Sequence, residues 1–174
     1  PGFRRWARLH NLEEMAKTLI YLQENGLTDY AELERRATNA TATFNDLSDK
    51  IKTAENRMAE ISELQKQIST YSRTLDVYRQ YKAAGYSKSF RAQHEADILL
   101  HQAAKKHFDA SGLGKLPTIK TLKQEYATLL AEKKTLYKGY REARENMKQL
   151  SVAKANTDRI LRTIPAAPDK EKQR

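Results

Sequence analysis

From Thr28 to Lys82 the chain contains neither proline nor glycine, and its apolar side chains return at alternating spacings of three and four residues. The series is Leu33, Ala37, Ala40, Phe44, Leu47, Ile51, Ala54, Met58 and Ile61, continuing through Leu64, Ile68, Tyr71, Leu75 and Tyr78. That period buries one stripe of a helix against another helix and is the seam of a coiled coil. Between Met58 and Leu64 two spacings of three fall together, a stammer that overwinds the helix and rotates the seam, so a change of partner is expected there. Uninterrupted, this helix spans about 80 Å at 1.5 Å per residue. Thr38, Thr41 and Thr43, with Asn45 and Asp46, are poor helix formers and mark where a break is expected if the helix has one.

A second seam begins at Ile119 and keeps step through Leu122, Tyr126, Leu129, Lys133, Leu136, Tyr140, Ala143, Met147, Leu150, Lys154, Thr157 and Leu161. Lys133 and Lys154 take a-type positions, where a polar group costs stability and fixes register. Gly139 is the weak point of this helix.

Shorter helices flank these two. Asn11, with Glu14 three residues later, reads as a capping box, and Asn25-Gly26 supplies a stop. That predicts a helix from Leu12 to Glu24 with an apolar face of Leu12, Met15, Ala16, Leu19 and Leu22, widened by Ile20. Gly85 ends the long helix. Ser87 or Ser89 can cap another running to about Asp109, and Thr118 or Thr121 can cap the last. Ahead of them all, Phe3-Arg4-Arg5-Trp6-Ala7-Arg8 mixes rings and cations, which suits either stacking on bases or packing on a neighbouring helix. The pattern predicts an all-α fold, an elongated antiparallel coiled-coil hairpin with short packed helices, against the alternative of a parallel homodimer. The expected organisation is an N-terminal capping helix over 1–27, a coiled-coil module over 28–163 with helices at about 30–82, 89–109 and 119–163, and a disordered basic tail over 164–174.

Composition narrows the function. Six Gly and four Pro in 174 residues leave too few turns for an all-β fold. There is no apolar run long enough to span a membrane and no charged-then-apolar leader, which points to a soluble protein of the cytoplasm. With no cysteine, disulfides, thiolate metal sites and cysteine nucleophiles are excluded. His94, Asp97 and His101 lie on successive helical turns, but this spacing lacks a fourth ligand and no metal or other cofactor is assigned. Gly112-Leu113-Gly114-Lys115 is not a phosphate-binding loop, since it has neither the required spacing nor a preceding strand.

The formal net charge of +10 is unevenly placed. Residues 1–87 hold 13 Lys/Arg against 12 Asp/Glu, and residues 88–174 hold 19 against 10. The second half therefore suits a polyanion or an acidic protein surface. With Ile119 as position a, the b positions Lys120, Lys134, Arg141, Lys148 and Arg162 are basic, and Lys123, Lys138, Arg144 and Arg159 widen the stripe. Such a stripe on a stiff helix grips the phosphate backbone without reading bases. These nine residues are the predicted DNA-binding set.

Three stretches carry a family likeness: Asn11-Leu-Glu-Glu-Met-Ala-Lys-Thr-Leu-Ile-Tyr-Leu-Gln-Glu-Asn-Gly-Leu27, His94-Glu-Ala-Asp-Ile-Leu-Leu-His101 and Leu122-Lys-Gln-Glu-Tyr-Ala-Thr-Leu-Leu-Ala-Glu-Lys-Lys134. They resemble the carboxy-terminal helical region of relaxases, the mobilisation nucleases of conjugative and mobilisable elements in Gram-positive bacteria. The resemblance implies a parent protein that nicks one strand at a transfer origin with a tyrosine. That tyrosine is then carried with the DNA through a type IV secretion system. The family's catalytic His-hydrophobic-His motif is missing, because none of His10, His94, His101 and His107 lies two residues from another. No catalytic residue is therefore transferred, and the chain is expected to be a non-enzymatic module of the relaxosome. Its expected partners are transfer-origin DNA or, alternatively, the secretion coupling protein or an accessory protein. A dimerisation rod is the remaining alternative, and the chain is expected to be a monomer or homodimer.

Overall fold

The structure is a computed structural model that describes residues 2–112 and 116–163, with side chains from His10 onward. Five helices make up nine-tenths of the described residues, and no strand occurs among them. They are α1 (Gly2–Glu24), α2 (Tyr30–Ala83), α3 (Lys88–Gln93), α4 (Glu95–Ala110) and α5 (Ile119–Thr163). The all-α expectation holds. The expected tail over 164–174, the side chains of Phe3 to Arg8 and part of the Gly112–Lys115 loop fall outside the described residues.

The helices are distributed over two compact units, Pro1–Asp49 with Leu136–Arg174, and Lys50–Thr135. In the first unit, Leu33, Ala37 and Ala40 of α2 bury against Leu150 and Ala153 of α5. Phe44 and Tyr140 meet at 5.1 Å between ring centroids, and Lys154 Nζ lies 3.7 Å from Glu34. As the numbers rise along α2 they fall along α5, so the pair is antiparallel, and every α2 residue named lies on the seam expected from the sequence or one position from it.

The third helix of this unit is α1, and here the sequence reading is corrected twice. It begins at Gly2 rather than Leu12, so Asn11 is interior and caps nothing, and Glu14 pairs instead with Lys17 at 2.9 Å. Its packed side is also different. Leu12, Leu19 and Ile20 are 62%, 57% and 54% exposed, while Thr18 is buried and Tyr21 and Leu22 pack on the core. The six apolar residues mark a sector of about 160°, but the packed side lies at its edge, keeping Leu22 and leaving Leu12, Leu19 and Ile20 outward. The choice falls to the hydrogen bond from Asn156 Nδ2 of α5 to Thr18 Oγ1, 2.9 Å long and buried. The predicted stop at Asn25-Gly26 is present. Gly26 takes φ +64°, its N–H donates to the Gln23 carbonyl, and the N–H of buried Leu27 donates to the Leu22 carbonyl at 2.8 Å, a Schellman closure. Asp29 then caps α2 by accepting from the Ala31 N–H.

No break occurs at Thr38–Asp46. The Thr41 and Thr43 hydroxyls donate to the carbonyls of Ala37 and Asn39 within a continuous helix. The expected weak point at Gly139 is helical as well, with Leu47 near enough to meet an added methyl at 3.7 Å.

In the second unit, Ile61 and Leu64 of α2 close on Leu122 of α5, with Ile68, Tyr126 and Leu129 around them. Arg57 holds Glu125 through two nitrogens, and Lys133 meets Glu55 at 2.7 Å. From Tyr71 onward the partner is α4, which buries Ile98, His101, Ala104 and Phe108. The buried positions of α2 shift accordingly to Thr74 and Tyr81. The change of partner expected between Met58 and Leu64 comes later along α2, because Ile61, Leu64 and Ile68 still pack around Leu122 of α5. The single helix expected over 89–109 is two: α3, capped by the Ser87 hydroxyl accepting from the Phe90 N–H, ends at His94, and α4 starts after it.

Candidate nucleic-acid interface

All nine residues of the predicted DNA-binding set lie on α5, and all nine are exposed. Among the described residues none of them forms an ion pair. The cations of the helix seams behave differently. Lys133 is paired with Glu55, and Lys154 contacts Asp158 at 3.2 Å and the Tyr30 hydroxyl at 3.2 Å. Hydrogen bonds to Tyr30 first and Asp158 second raise the Lys154 pKa to about 12, and the Tyr30 hydroxyl, then Lys154, donating to the Asp158 carboxyl hold it below its ordinary range. Seam cations are thus held in contacts between and along the helices, while the outward ones make no direct ion pair among the described residues, although Arg162 is near enough to Asp158 to help lower its pKa.

Helix geometry sorts the nine. In the first unit, at 100° per residue, Arg141, Arg144, Lys148, Arg159 and Arg162 fall within an arc of about 60°. Tyr137, Ser151 and Ala155 share or border that arc, and the acids of this part of α5, Glu142, Glu145 and Asp158, lie outside it. Lys138 stands about 60° to the side, on the flank where Asn156 meets α1. In the second unit, Lys120, Lys123 and Lys134 also share an arc of about 60°, with Glu125 and Glu132 on another side of the helix. Eight of the nine cations thus lie on an exposed arc clear of the acids within their own unit, and Lys138 lies off it.

The first unit also presents two grooves along its α2/α5 pair. One is covered in part by α1, where Tyr21 and Leu27 approach Ala40 and Leu150. The other is open and has a volume of about 530 Å³. Its walls are Ala37, Thr38, Thr41, Ala42 and Asn45 of α2 and Ser151 and Ala155 of α5, with Lys154 and Asp158 beside them. The sequence reading flagged the threonines and asparagine only as poor helix formers. Their common flank on α2 was the signal it did not use.

His94, Asp97 and His101 do not converge. The His94 ring lies on Phe90 at 4.5 Å, whereas the His101 ring is stacked between Tyr71 and Tyr78 at 4.3 Å from each. Among the described residues no group of three or more His, Asp or Glu side chains is placed to hold a metal ion, and no helix is long and apolar enough to cross a membrane. Comparison with known protein families, characterised proteins and solved structures returned no match to this chain.

Proposed function

We propose that this chain is a non-catalytic helical module that binds nucleic acid through the outward face of α5, and that it serves a conjugative relaxase by holding transfer-origin DNA in the bacterial cytoplasm. The observation that carries the binding is the acid-free arc of five exposed, unpaired cations in the first unit. An ordinary solubilising surface intersperses signs, and its cations pair with carboxylates at i±3 or i±4, as Arg35 and Arg36 do with Glu32 here. Lysines and arginines left unpaired on one face release counterions from a polyanion and gain affinity from that release. The relaxase assignment rests on the three stretches of sequence likeness. The chain contributes no metal motif and no nucleophile to the nicking reaction.

The test is an anisotropy titration of the protein with origin and scrambled duplexes at two salt concentrations, repeated with Arg141→Glu, Arg144→Glu and Lys148→Glu combined. Wild type should bind both duplexes similarly, and the triple variant should flatten the salt slope by about three. Retained affinity and slope in a variant of unchanged helicity would reject the face as the DNA site.

A second reading, docking to the secretion coupling protein or to an accessory protein, draws on the outward Leu12, Leu19 and Ile20 of α1. It predicts that Leu12→Gln with Leu19→Gln abolishes capture by that protein and leaves DNA affinity unchanged.

A further inference from the structure

We infer that the open α2/α5 groove of the first unit seats the sugar-phosphate backbone of a nucleic-acid strand, with Thr38, Asn45 and Ser151 donating hydrogen bonds to its phosphates. The inference rests on the nucleic-acid reading above and deepens it. The cations of the basic arc are not evenly spaced along α5. Arg144 and Lys148 stand on one side of an interval in which the arc itself carries no charge, Arg159 and Arg162 on the other; Lys154 and Asp158 fall in that interval but off the arc. Within the interval Ala155 lies on the arc, Ser151 borders it on one side and Val152 on the other, and Ser151 and Ala155 line the groove. A polyanion drawn to both cation groups passes over Ala155, beside the groove. The small side chains there let it approach the helix backbone closely, which long side chains on the same positions would prevent.

The opposite wall supplies the complement. Thr38, Thr41 and Asn45 face the groove from α2, on a stretch where helix propensity is poor and no core role explains them. Thr41 has its hydroxyl proton committed to the Ala37 carbonyl, but Thr38, Asn45 and Ser151 have no side-chain hydrogen-bond partner among the described residues. Each can donate, and a phosphate oxygen accepts. The lining exposes apolar surface from Ala37, Ala42 and Ala155 as well, and it is the unpartnered donors set among these small side chains, beside the cations of the arc, that favour a phosphodiester over an amphipathic helix as its occupant. Beside the groove, Asp158 and Glu34 are held by Lys154, with the Tyr30 hydroxyl also donating to Asp158. The carboxylates there are therefore partly neutralised.

The experiment separates groove from face by adding bulk without charge. Ser151→Gln with Ala155→Leu, both exposed sites on a helix, keeps every cation and fills the groove. Anisotropy with a short duplex, the same sequence as a single strand, and poly-glutamate is measured for wild type, this double variant and the Arg141/Arg144/Lys148 charge-reversal triple, with circular dichroism to check the fold. A well-folded double variant should lose about tenfold or more in affinity for whichever nucleic-acid form occupies the groove, at an unchanged salt slope, since no phosphate-pairing cation is removed. If the triple variant loses binding while the double variant keeps it, the groove inference fails and the basic-face reading stands. If neither loses binding, both fail. If poly-glutamate binds as well as nucleic acid and responds to the double variant equally, the phosphodiester occupant is rejected in favour of an acidic protein. Thr38→Val gives an independent check, because it deletes one donor without bulk or charge and should weaken binding about two- to tenfold.

Discussion

The side-chain amide of Asn156 on α5 donates a buried 2.9 Å hydrogen bond to the hydroxyl of Thr18 on α1. Thr18 in turn donates to the Glu14 carbonyl at 2.8 Å, so the hydroxyl is satisfied on both sides. Thr18→Val leaves the Asn156 amide without its acceptor and should cost about 1–3 kcal/mol. Replacing both, Thr18→Val with Asn156→Leu, removes the unmet demand and should cost less than the sum of the single changes. Urea unfolding of the four proteins in a double-mutant cycle measures the difference, and strict additivity would show that the bond does not orient α1.

His101 links packing to pH. Its ring is 2% exposed between Tyr71 and Tyr78, with Nδ1 3.0 Å from the Thr74 hydroxyl. Burial holds its pKa below the ordinary histidine value; a hydrogen bond to the Tyr71 backbone opposes this, and Lys105 adds to the lowering. A base depressed in the folded state contributes its full stability above the unfolded pKa of about 6.5 and loses it as pH falls through that value to the folded one. Thermal melts should therefore show lower stability at about pH 5.5 than at about pH 7.5. His101→Phe, which keeps the ring stack, should reduce that dependence. An identical pH profile in the variant would assign it to other groups.

Gly26 is held at φ +64°, and an added Cβ would meet nothing within 4 Å. The cost of Gly26→Ala is therefore backbone strain without a clash, about 1–2 kcal/mol. A midpoint shift of that size in denaturant, with an unchanged slope, is the expected result.

The exposed and packed apolar residues of the first unit should separate cleanly. Leu19→Gln alters a side chain that is 57% exposed and should change stability by no more than about 0.5 kcal/mol. Leu150→Ala empties a position that is 4% exposed and should cost about 2–5 kcal/mol. A large loss from Leu19→Gln would mean that the outward face of α1 is covered in solution.

Helix content, the two long seams and the antiparallel pairing were legible in the chain because a period near 3.5 and the scarcity of proline and glycine are local properties. The Schellman stop at Gly26 and the caps at Ser87 and Thr118 were legible for the same reason, since each involves residues within a few positions of one another. The basic stripe followed from heptad phase. What the sequence did not show was which face α1 would bury. The apolar sector that marked one face leaves Leu12, Leu19 and Ile20 outward, and the packed side includes Thr18, whose partner Asn156 is 138 positions away. The division of the helix after Ser87 at His94, the aromatic enclosure of His101 and the groove between Thr38 and Ser151 were likewise settled by tertiary contact. Each depends on which side chain of one helix lies opposite which side chain of another, and a periodicity read along one strand of chain carries no term for that pairing.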